Sequence, residues 1–214
     1  MYKAFIFDFD GVLVDTTEVQ VSSLRKAICD ISGTLLTDKR DISIVTSTLT
    51  TRAKLIKLAN KGYFSLSQVD KIYEQKKKNA NEIMLSFDPA QSLDKIVMFE
   101  YIKKKNKKIA IVTNANREST EMMINHLGFR DYIDILITNS DVVNSKPHPE
   151  PYVRALMQVG CELEECIIFE DSLIGLEAAN STGADVYHIK DVSETTHFLI
   201  KSLENDSDAS KAHE

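Results

Sequence analysis

The chain has 214 residues, of which 43% are hydrophobic and 27% are charged, and these are ordinary values for a globular protein. Its length fits one domain, or one domain that carries a smaller insertion. The net charge of −6 argues against a nucleic-acid-binding protein, because such proteins usually present a basic face. Three cysteines without CxxC spacing, no basic and apolar leader, and no apolar stretch near the roughly 20 residues of a membrane helix predict a reduced, cytoplasmic setting without a membrane partner.

The first predicted element is a buried strand over residues 2–7, and acidic residues follow it directly. Asp8 and Asp10 are separated by one residue, and Gly11 can then turn the chain sharply. Buried strands do not normally end in paired acids, because an uncompensated carboxylate is costly to desolvate. A bound divalent cation is the usual compensation. Ligands bind at the C-terminal ends of parallel strands, so we expect the chain to enter an active site here.

The next segment, residues 16–87, shows helical spacing of its apolar residues and no convincing strand. Ser67 is the expected N-cap of its last helix. Asp88 and Pro89 then mark a boundary. We therefore expect an all-helical insertion directly after the first strand. Its predicted helices cover residues 17–31, 52–61 and 67–84.

After Pro89 the predicted strands and helices alternate, which indicates an α/β fold with a doubly wound parallel sheet, a Rossmann-like core. The expected domains are a catalytic core over residues 1–15 and 88–204 and a helical cap over residues 16–87. Residues 205–214 are polar and are predicted to be a disordered tail. The predicted strands of this part cover residues 108–113, 133–138, 166–170 and 184–189, and the helices cover 93–104, 118–127, 150–159, 173–181 and 194–203.

Two of these later strands end in residues that suit an anion. Thr113 and Asn114 offer a hydroxyl, an amide and backbone N–H groups, although Thr113 taken alone is better explained as the start of the following loop. Lys146 lies in a segment that contains three of the four prolines, and a stiff backbone can place one positive charge. The alternative is an ordinary surface lysine before a helix with proline in its first turn.

A third strand end carries Glu170 and Asp171, which follow an apolar run. Capping of the next helix would explain Asp171 but not Glu170. Because all these strand ends share one edge of a parallel sheet, they would bring acids, a hydroxyl and a lysine into one crevice.

These strand ends resemble the motifs of the haloacid dehalogenase superfamily, and the resemblance spans nearly the whole chain outside the tail. The helical insertion is similar to the cap of the branch that holds phosphoglycolate phosphatases and β-phosphoglucomutase. An acid at position 10 resembles the phosphatases and mutases rather than the dehalogenases or the transport ATPases. The matching segments are Asp8-Phe9-Asp10-Gly11-Val12-Leu13-Val14-Asp15-Thr16, Thr113-Asn114, Lys146-Pro147 and Glu170-Asp171-Ser172.

The resemblance implies a role for each matching residue. Asp8 would attack phosphorus and become an aspartyl phosphate, and Asp10 would protonate the leaving oxygen and then activate water. Thr113 and the Asn114 N–H would hold the phosphoryl oxygens. Lys146 would neutralise charge between the phosphoryl group and Asp8.

The same resemblance implies Mg²⁺ as the cofactor. The ion would be held by the Asp8 side chain, the Asp10 main-chain carbonyl and Asp171. Glu170 would be either a further ligand or a partner that orients the ligands.

The cap matches this branch less closely. Arg52 follows a polar stretch that resembles a substrate loop without its glycine, and it would bind a second anionic group or would simply begin a helix at the surface. β-Phosphoglucomutase has a histidine where this chain has Gln20, which counts against a mutase. The lysine-rich runs at residues 76–78 and 103–108 are predicted to be solvated faces.

We therefore expect a Mg²⁺-dependent phosphatase that hydrolyses a small phosphorylated metabolite. A phosphosugar mutase is the alternative within the same chemistry, and a non-catalytic binding protein on the same fold is the alternative from another class. The intact Asp8, Asp10, Lys146 and Asp171 speak against the binding protein. The identity of the substrate and the oligomeric state stay open.

Overall fold

A computed structural model describes the backbone of residues 1–47 and 49–211, and the side chains of these residues apart from 91 and 206–211. The chain divides into two compact units, Met1–Asp15 with Asp88–Glu214, and Thr16–Phe87. We call the first the sheet unit and the second the helical unit. Within the described ranges, no helix is long and apolar enough to cross a membrane.

Between the first two strands of the chain the described residues form helices and no strand, and after the second strand, strands and helices alternate. In order the elements are β1 (Ala4–Phe7), α1 (Thr17–Ser32), α2 (Lys39–Val45), α3 (Thr51–Asn60), α4 (Val69–Leu85), α5 (Leu93–Lys104), β2 (Lys108–Val112), α6 (Arg117–His126), β3 (Ile135–Ile137), α7 (Glu150–Val159), β4 (Cys166–Glu170), α8 (Leu173–Asn180), β5 (Asp185–His188) and α9 (His197–Lys211), joined in places by short 3₁₀ turns.

The sheet unit is built on five parallel strands in the order β3-β2-β1-β4-β5. The first strand of the chain therefore lies at the centre, with β2 on one side and β4 on the other. This arrangement, together with the all-helical insertion after β1, confirms the fold class predicted from the sequence. The strands β1, β2, β3 and β5 are slightly shorter than predicted.

The central strand is buried on both faces, as parallel strands covered by helices must be. Phe5 and Phe7 point to one face, where the Phe7 ring stacks on Phe169 with 4.7 Å between ring centroids. Phe99 of α5 covers that face with an edge-on contact to Phe7. The alternate residues of β1 face the other side of the sheet and pack with α7 and α8. That cluster includes Ala4, Ile6, Tyr152, Ala155, Ala178 and Ala179.

The helical unit has its own core, in which α1 packs along α4. Its buried residues recur at helical spacing, which is why they form one apolar face on each helix. The core includes Leu24, Ile28, Leu55, Leu58 and Ile72. The sequence does not reveal α2, which begins where the Asp38 side chain accepts a hydrogen bond from Arg40 N at 2.7 Å.

The start of α4 differs from the prediction. Ser65, rather than Ser67, has the extended backbone of a capping residue, and its side chain accepts a hydrogen bond from Ser67 N. The Gln68 side chain bonds back to Ser65 N at 3.0 Å, which completes a capping box around a 3₁₀ turn. The α-helix itself begins at Val69.

The last helix also differs from the prediction of a helix over residues 194–203. It begins at His197 and continues to Lys211, so that it extends into the segment predicted as the tail. No glycine or proline interrupts this polar stretch, so nothing in it breaks the helical hydrogen-bond pattern. Residues 212–214 of the predicted tail lie outside the described residues.

The prediction of a solvated face over residues 103–108 is wrong for Lys107. This side chain is buried and forms an ion pair with Glu204 of α9. The ion pair explains the burial, because a buried ammonium needs a charged partner.

Candidate active site

The strand ends of the sheet unit meet at one edge, as the parallel topology requires. Asp8 directly follows β1, Thr113 directly follows β2, and Glu170 is the last residue of β4. Phe7 is in register with Ile111 of β2 and Phe169 of β4, so the residues that come next along each strand are neighbours. The hydrogen bond from Asp8 N to Phe169 O, at 2.9 Å, continues the ladder to this edge.

Lys146 is buried in the middle of this cluster. Its ammonium lies 2.8 Å from Asp8 Oδ1 and 2.5 Å from Glu170 Oε1. It also lies 3.0 Å from Val112 O and 2.9 Å from the Tyr152 hydroxyl oxygen. The Lys146–Pro147 peptide bond is cis. Lys146 is thus an interior charge shared by two carboxylates, which excludes the alternative of an ordinary surface lysine.

Glu170 is fully buried, and protein donors satisfy both of its oxygens. Oε1 accepts hydrogen bonds from Lys146 and from the Tyr152 hydroxyl, the latter at 2.8 Å. Oε2 accepts from the backbone N–H groups of Asp171 at 2.9 Å and Ser172 at 3.1 Å. Gly175 allows α8 to approach so closely, since a Cβ there would lie 1.9 Å from Glu170 Oε1. Protein donors therefore hold both oxygens of the Glu170 carboxylate in place.

Asp171 differs from Glu170 in that one of its carboxylate oxygens has no donor. Its Oδ1 is buried and has no hydrogen-bond partner. Its other oxygen lies against Gly11, where an added Cβ would be only 2.2 Å away. An orphaned carboxylate oxygen in the interior is costly unless something positive faces it.

The electrostatics of the cluster show an excess of negative charge. Asp8, Glu170 and Asp171 each offer a carboxylate oxygen, and these atoms lie within 4.8 Å of one another. Burial, and repulsion from Glu170 and Asp10, raise the pKa of Asp8 well above its ordinary value despite the opposing effect of Lys146. Burial and repulsion from Glu170 raise the pKa of Asp171 to about 6.

The pKa of Lys146 is also affected by burial and by the neighbouring charges. Burial lowers the pKa of Lys146, but Asp8 and Glu170 outweigh this effect and raise it above the ordinary value. The pKa values of Asp8, Asp171 and Lys146 are thus shifted in the direction that adds protons, as expected when the site contains too few positive charges. With the orphaned oxygen of Asp171 and a donor set made only of oxygens, the site fits a hard divalent cation.

Thr113 and Asn114 occupy the neighbouring strand end. Thr113 is buried, and its hydroxyl lies 3.4 Å from Asp10 Oδ2 and accepts a hydrogen bond from Ala115 N. Its backbone N–H donates to Ile137 O within the sheet, so the hydroxyl is the part that faces the acids. The Asn114 side chain contacts the backbone of Lys146 at both its N–H and its carbonyl.

Arg52 is the one predicted site residue that belongs to the helical unit rather than to the sheet unit. Its guanidinium donates to Asp70 Oδ1 at 2.5 Å and lies over the Tyr73 ring, 4.6 Å from the centroid. Both members of this ion pair are largely exposed. Within the helical unit Arg52 therefore joins the first turn of α3 to α4.

Comparison with known proteins shows the family. Residues 5–189, most of the chain, match the sequence model of the haloacid dehalogenase-like hydrolases. The chain belongs to this family. The resemblance inferred from the strand ends is thereby confirmed, as is the prediction that the chain is a hydrolase.

The relatives of this haloacid dehalogenase-like hydrolase include named phosphatases. The chain is 27% identical to a phosphorylated carbohydrates phosphatase of Thermotoga maritima, over 86% of this chain and 82% of that protein. It is 24% identical to a fructose-1-phosphate phosphatase of Escherichia coli, over 88% and 97%. These relatives support the expected action on phosphate monoesters.

A solved structure, β-phosphoglucomutase of Clostridium difficile, covers 98% of this hydrolase and is itself covered in full. The TM-score is 0.73 at 21% identity, which shows a common fold.

Sequence reasoning did not identify Tyr152 as a member of the site of this hydrolase. Tyr152 is fully buried, and its hydroxyl contacts both Lys146 and Glu170. Burial and the nearby Glu170 raise its pKa well above the ordinary value, so the phenol keeps its proton. The available signal was its place six residues after Lys146, in the same proline-rich segment.

Proposed function

We propose that the chain is a divalent-cation-dependent phosphatase, with Mg²⁺ as the ion, that hydrolyses a small phosphorylated metabolite through an aspartyl phosphate on Asp8. The observation that carries this proposal is the pair formed by a buried Asp8 and the Lys146 ammonium, 2.8 Å apart, beside the orphaned oxygen of Asp171. The named phosphatases among the relatives support the substrate class.

In the first step an Asp8 oxygen would attack phosphorus, and the bond from phosphorus to the ester oxygen would break. Asp10 would give its proton to that leaving oxygen, while the Thr113 hydroxyl, 3.4 Å from Asp10 Oδ2, helps to orient the carboxyl group. In the second step Asp10 would take a proton from water as the water attacks phosphorus. Inorganic phosphate would leave, and Asp8 would be a carboxylate again.

Lys146 would stabilise the negative charge that builds on the phosphoryl oxygens, because it stays positive in a buried site where charge is poorly screened. The Asp8 and Asp171 carboxylates and the Asp10 main-chain carbonyl would hold Mg²⁺, which would neutralise the approaching anionic substrate. Glu170 would orient Lys146 and Asp171 rather than bind the ion, because its oxygens already accept from protein donors.

Within this proposal residues 16–87 form the cap that selects the substrate, and Arg52 binds a remote anionic group on it. Arg52 has further N–H groups besides the one that donates to Asp70, and these would be the ones that the anion uses. Hydrolysis is preferred to a mutase reaction because Gln20 stands where the mutase has a histidine. Release of inorganic phosphate as the sole outcome distinguishes the two.

The test compares two neighbouring acids in a hydrolysis assay with p-nitrophenyl phosphate. Asp8→Asn should leave no activity above background, because the attacking group is gone. Asp10→Asn should retain the nucleophile and lose roughly 10²–10⁴-fold in rate, which is the usual contribution of acid–base help.

Both variants are measured with Mg²⁺ and with EDTA, and EDTA should abolish the wild-type activity. Near-normal turnover by Asp8→Asn would exclude the aspartyl phosphate, and full activity in EDTA would exclude the metal.

A further inference from the structure

The Lys146 ammonium has more oxygen neighbours than it has N–H groups. Four oxygens lie within 3.0 Å of it, whereas an ammonium can donate only three hydrogen bonds. The position of its charge therefore depends on which contacts its surroundings favour. For the proposed reaction the charge must lie beside Asp8 rather than be drawn towards Glu170.

The Tyr152 hydroxyl contacts both the Lys146 ammonium and Glu170, where it affects how strongly Glu170 attracts the ammonium. Its hydroxyl donates to Glu170 Oε1 at 2.8 Å and faces the ammonium with its lone pair at 2.9 Å. The ring lies beneath the same ammonium, with its centroid 4.6 Å from Nζ. Because Tyr152 is fully buried in the first turn of α7, the hydroxyl has a fixed place. Without it, Glu170 Oε1 would have Lys146 as its main donor and would compete more strongly with Asp8.

Asn114 fixes the other end of the same residue. Its side-chain oxygen accepts a hydrogen bond from Lys146 N at 3.1 Å, and its side-chain nitrogen donates to Lys146 O at 3.2 Å. One carboxamide thus binds the N–H and the carbonyl of one residue, which restrains the backbone from which the lysine extends. Asn114 is the second residue after the end of β2, so the restraint is tied to the sheet.

We propose that Tyr152 and Asn114 are positioning residues that hold Lys146 at its ammonium and at its backbone, so that its charge lies against Asp8. This inference rests on the proposed phosphatase function, and it gives the Asn114 side chain a task separate from that of its backbone N–H.

The first experiment measures kcat and KM of Tyr152→Phe and Asn114→Ala with p-nitrophenyl phosphate. Tyr152→Phe should lose about tenfold in kcat, as expected for one hydrogen bond to a charged group. Asn114→Ala should lose about as much, because it removes two hydrogen bonds to the Lys146 backbone, and both variants should keep KM within about twofold of wild type. Tyr132→Phe is the matched control, since its hydroxyl also faces a glutamate but lies outside the cluster, and it should keep the wild-type kcat. An unchanged kcat in Tyr152→Phe would overturn the proposal.

A double variant then separates positioning from a general structural role. If Tyr152 acts through Lys146, adding Tyr152→Phe to Lys146→Ala should cost less than about twofold, because coupled residues are not additive. A further tenfold loss in that background would show that the hydroxyl acts independently, and it would overturn the proposal.

Heteronuclear NMR of the lysine ammonium groups provides a readout that does not need turnover. The Lys146 signal, identified by its loss in Lys146→Arg, should exchange with water slowly in the wild type and markedly faster in Tyr152→Phe. If the wild type hydrolyses no phosphate ester, the proposed function fails while this signal still decides the inference. An unchanged exchange rate in Tyr152→Phe would contradict it.

Discussion

Gly11 has a backbone φ of +84°, and the Asp171 carboxylate occupies the space where a side chain would begin. Only glycine meets both conditions, because L residues rarely adopt this conformation and any Cβ would collide with Asp171. On the other side of the cluster Gly175 leaves room for Glu170, because a Cβ there would collide with the Glu170 carboxylate. The acids can gather at one edge of the sheet because two residues without side chains make room for them.

We predict that Gly11→Ala lowers activity as well as stability, because its Cβ would displace the Asp171 carboxylate in addition to straining the backbone. Gly183→Ala is the control, since Gly183 has a φ of +82° and its nearest added contact, to Leu163, would be an ordinary 3.5 Å. The control should lose about 1–2 kcal/mol of unfolding free energy, which is the cost of the left-handed backbone, and should keep its activity. Gly11→Ala should lose more stability and at least about tenfold in kcat, because Asp171 must move. Equal effects in chemical denaturation and in activity would contradict this account.

The sequence predicts the site best where a residue's meaning comes from its place on a strand. Asp8, Asp10 and Glu170 are identifiable because acids that end an apolar run have no local explanation, and Asp171 is identifiable by its place beside Glu170. Tyr152 could not be assigned in this way, because an aromatic residue on an amphipathic helix is normally part of the core. Its task arises from the distances between α7, β4 and Lys146, which no local pattern encodes.

At the scale of elements, α9 contacts the rest of the sheet unit through a buried acid, Glu204. Glu204 accepts hydrogen bonds from the Tyr101 hydroxyl at 2.8 Å, from Lys105 at 2.5 Å, and from Lys107. Burial raises the pKa of Glu204, but these donors outweigh burial and lower it below the ordinary 4.5. The helix thus contributes stability through a carboxylate that must be ionised.

The sign of the pH dependence follows from that lowered pKa. The contribution of Glu204 is fully present above its unfolded pKa of 4.5 and is lost as the pH falls through the lower folded value. Glu204→Gln should therefore cost about 2 kcal/mol of unfolding free energy at pH 7, and the difference should shrink below about pH 4. Glu121→Gln, in an exposed pair with Arg117, should change stability by less than about 0.5 kcal/mol. A Glu204→Gln deficit that does not vary with pH in denaturant titrations would rule out the ionised carboxylate as the cause.

The helices with a long periodic pattern were predictable, and the short helix α2 was not. Helix α4 has 17 residues and one clear apolar face, whereas α2 has seven and depends on its Asp38 cap and on packing within the helical unit. The length of α9 escaped prediction because its polar end shows neither a stop signal nor an apolar face. The burial of Lys107 could not be predicted either, because a run of lysines does not indicate which of them a later helix will cover.

For the molecule as a whole, the net charge of −6 is less informative than where the charge is gathered. At the edge of the sheet, Asp8, Asp10, Glu170 and Asp171 share Lys146 as the cation of the cluster, and an oxygen of Asp171 has no partner. Folding the chain must bring these acids together against their mutual repulsion. A divalent cation that binds the folded chain and not the unfolded one would offset that repulsion.

We predict that Mg²⁺ stabilises the wild type and that Asp171 is needed for the effect. At a Mg²⁺ concentration one hundred times Kd the gain is about 2.7 kcal/mol, or roughly 5–11 °C in Tm for a chain of this size. In EDTA, Asp171→Asn should unfold at the wild-type temperature or above it, because one repelling charge is gone. With Mg²⁺ the order should reverse, since the variant has lost a ligand. Asp131→Asn removes an equal charge from the exposed surface of the same unit, and it should follow the wild type in both conditions. An equal Mg²⁺-induced shift of Tm in the wild type and in Asp171→Asn would mean that this orphaned oxygen does not face the ion.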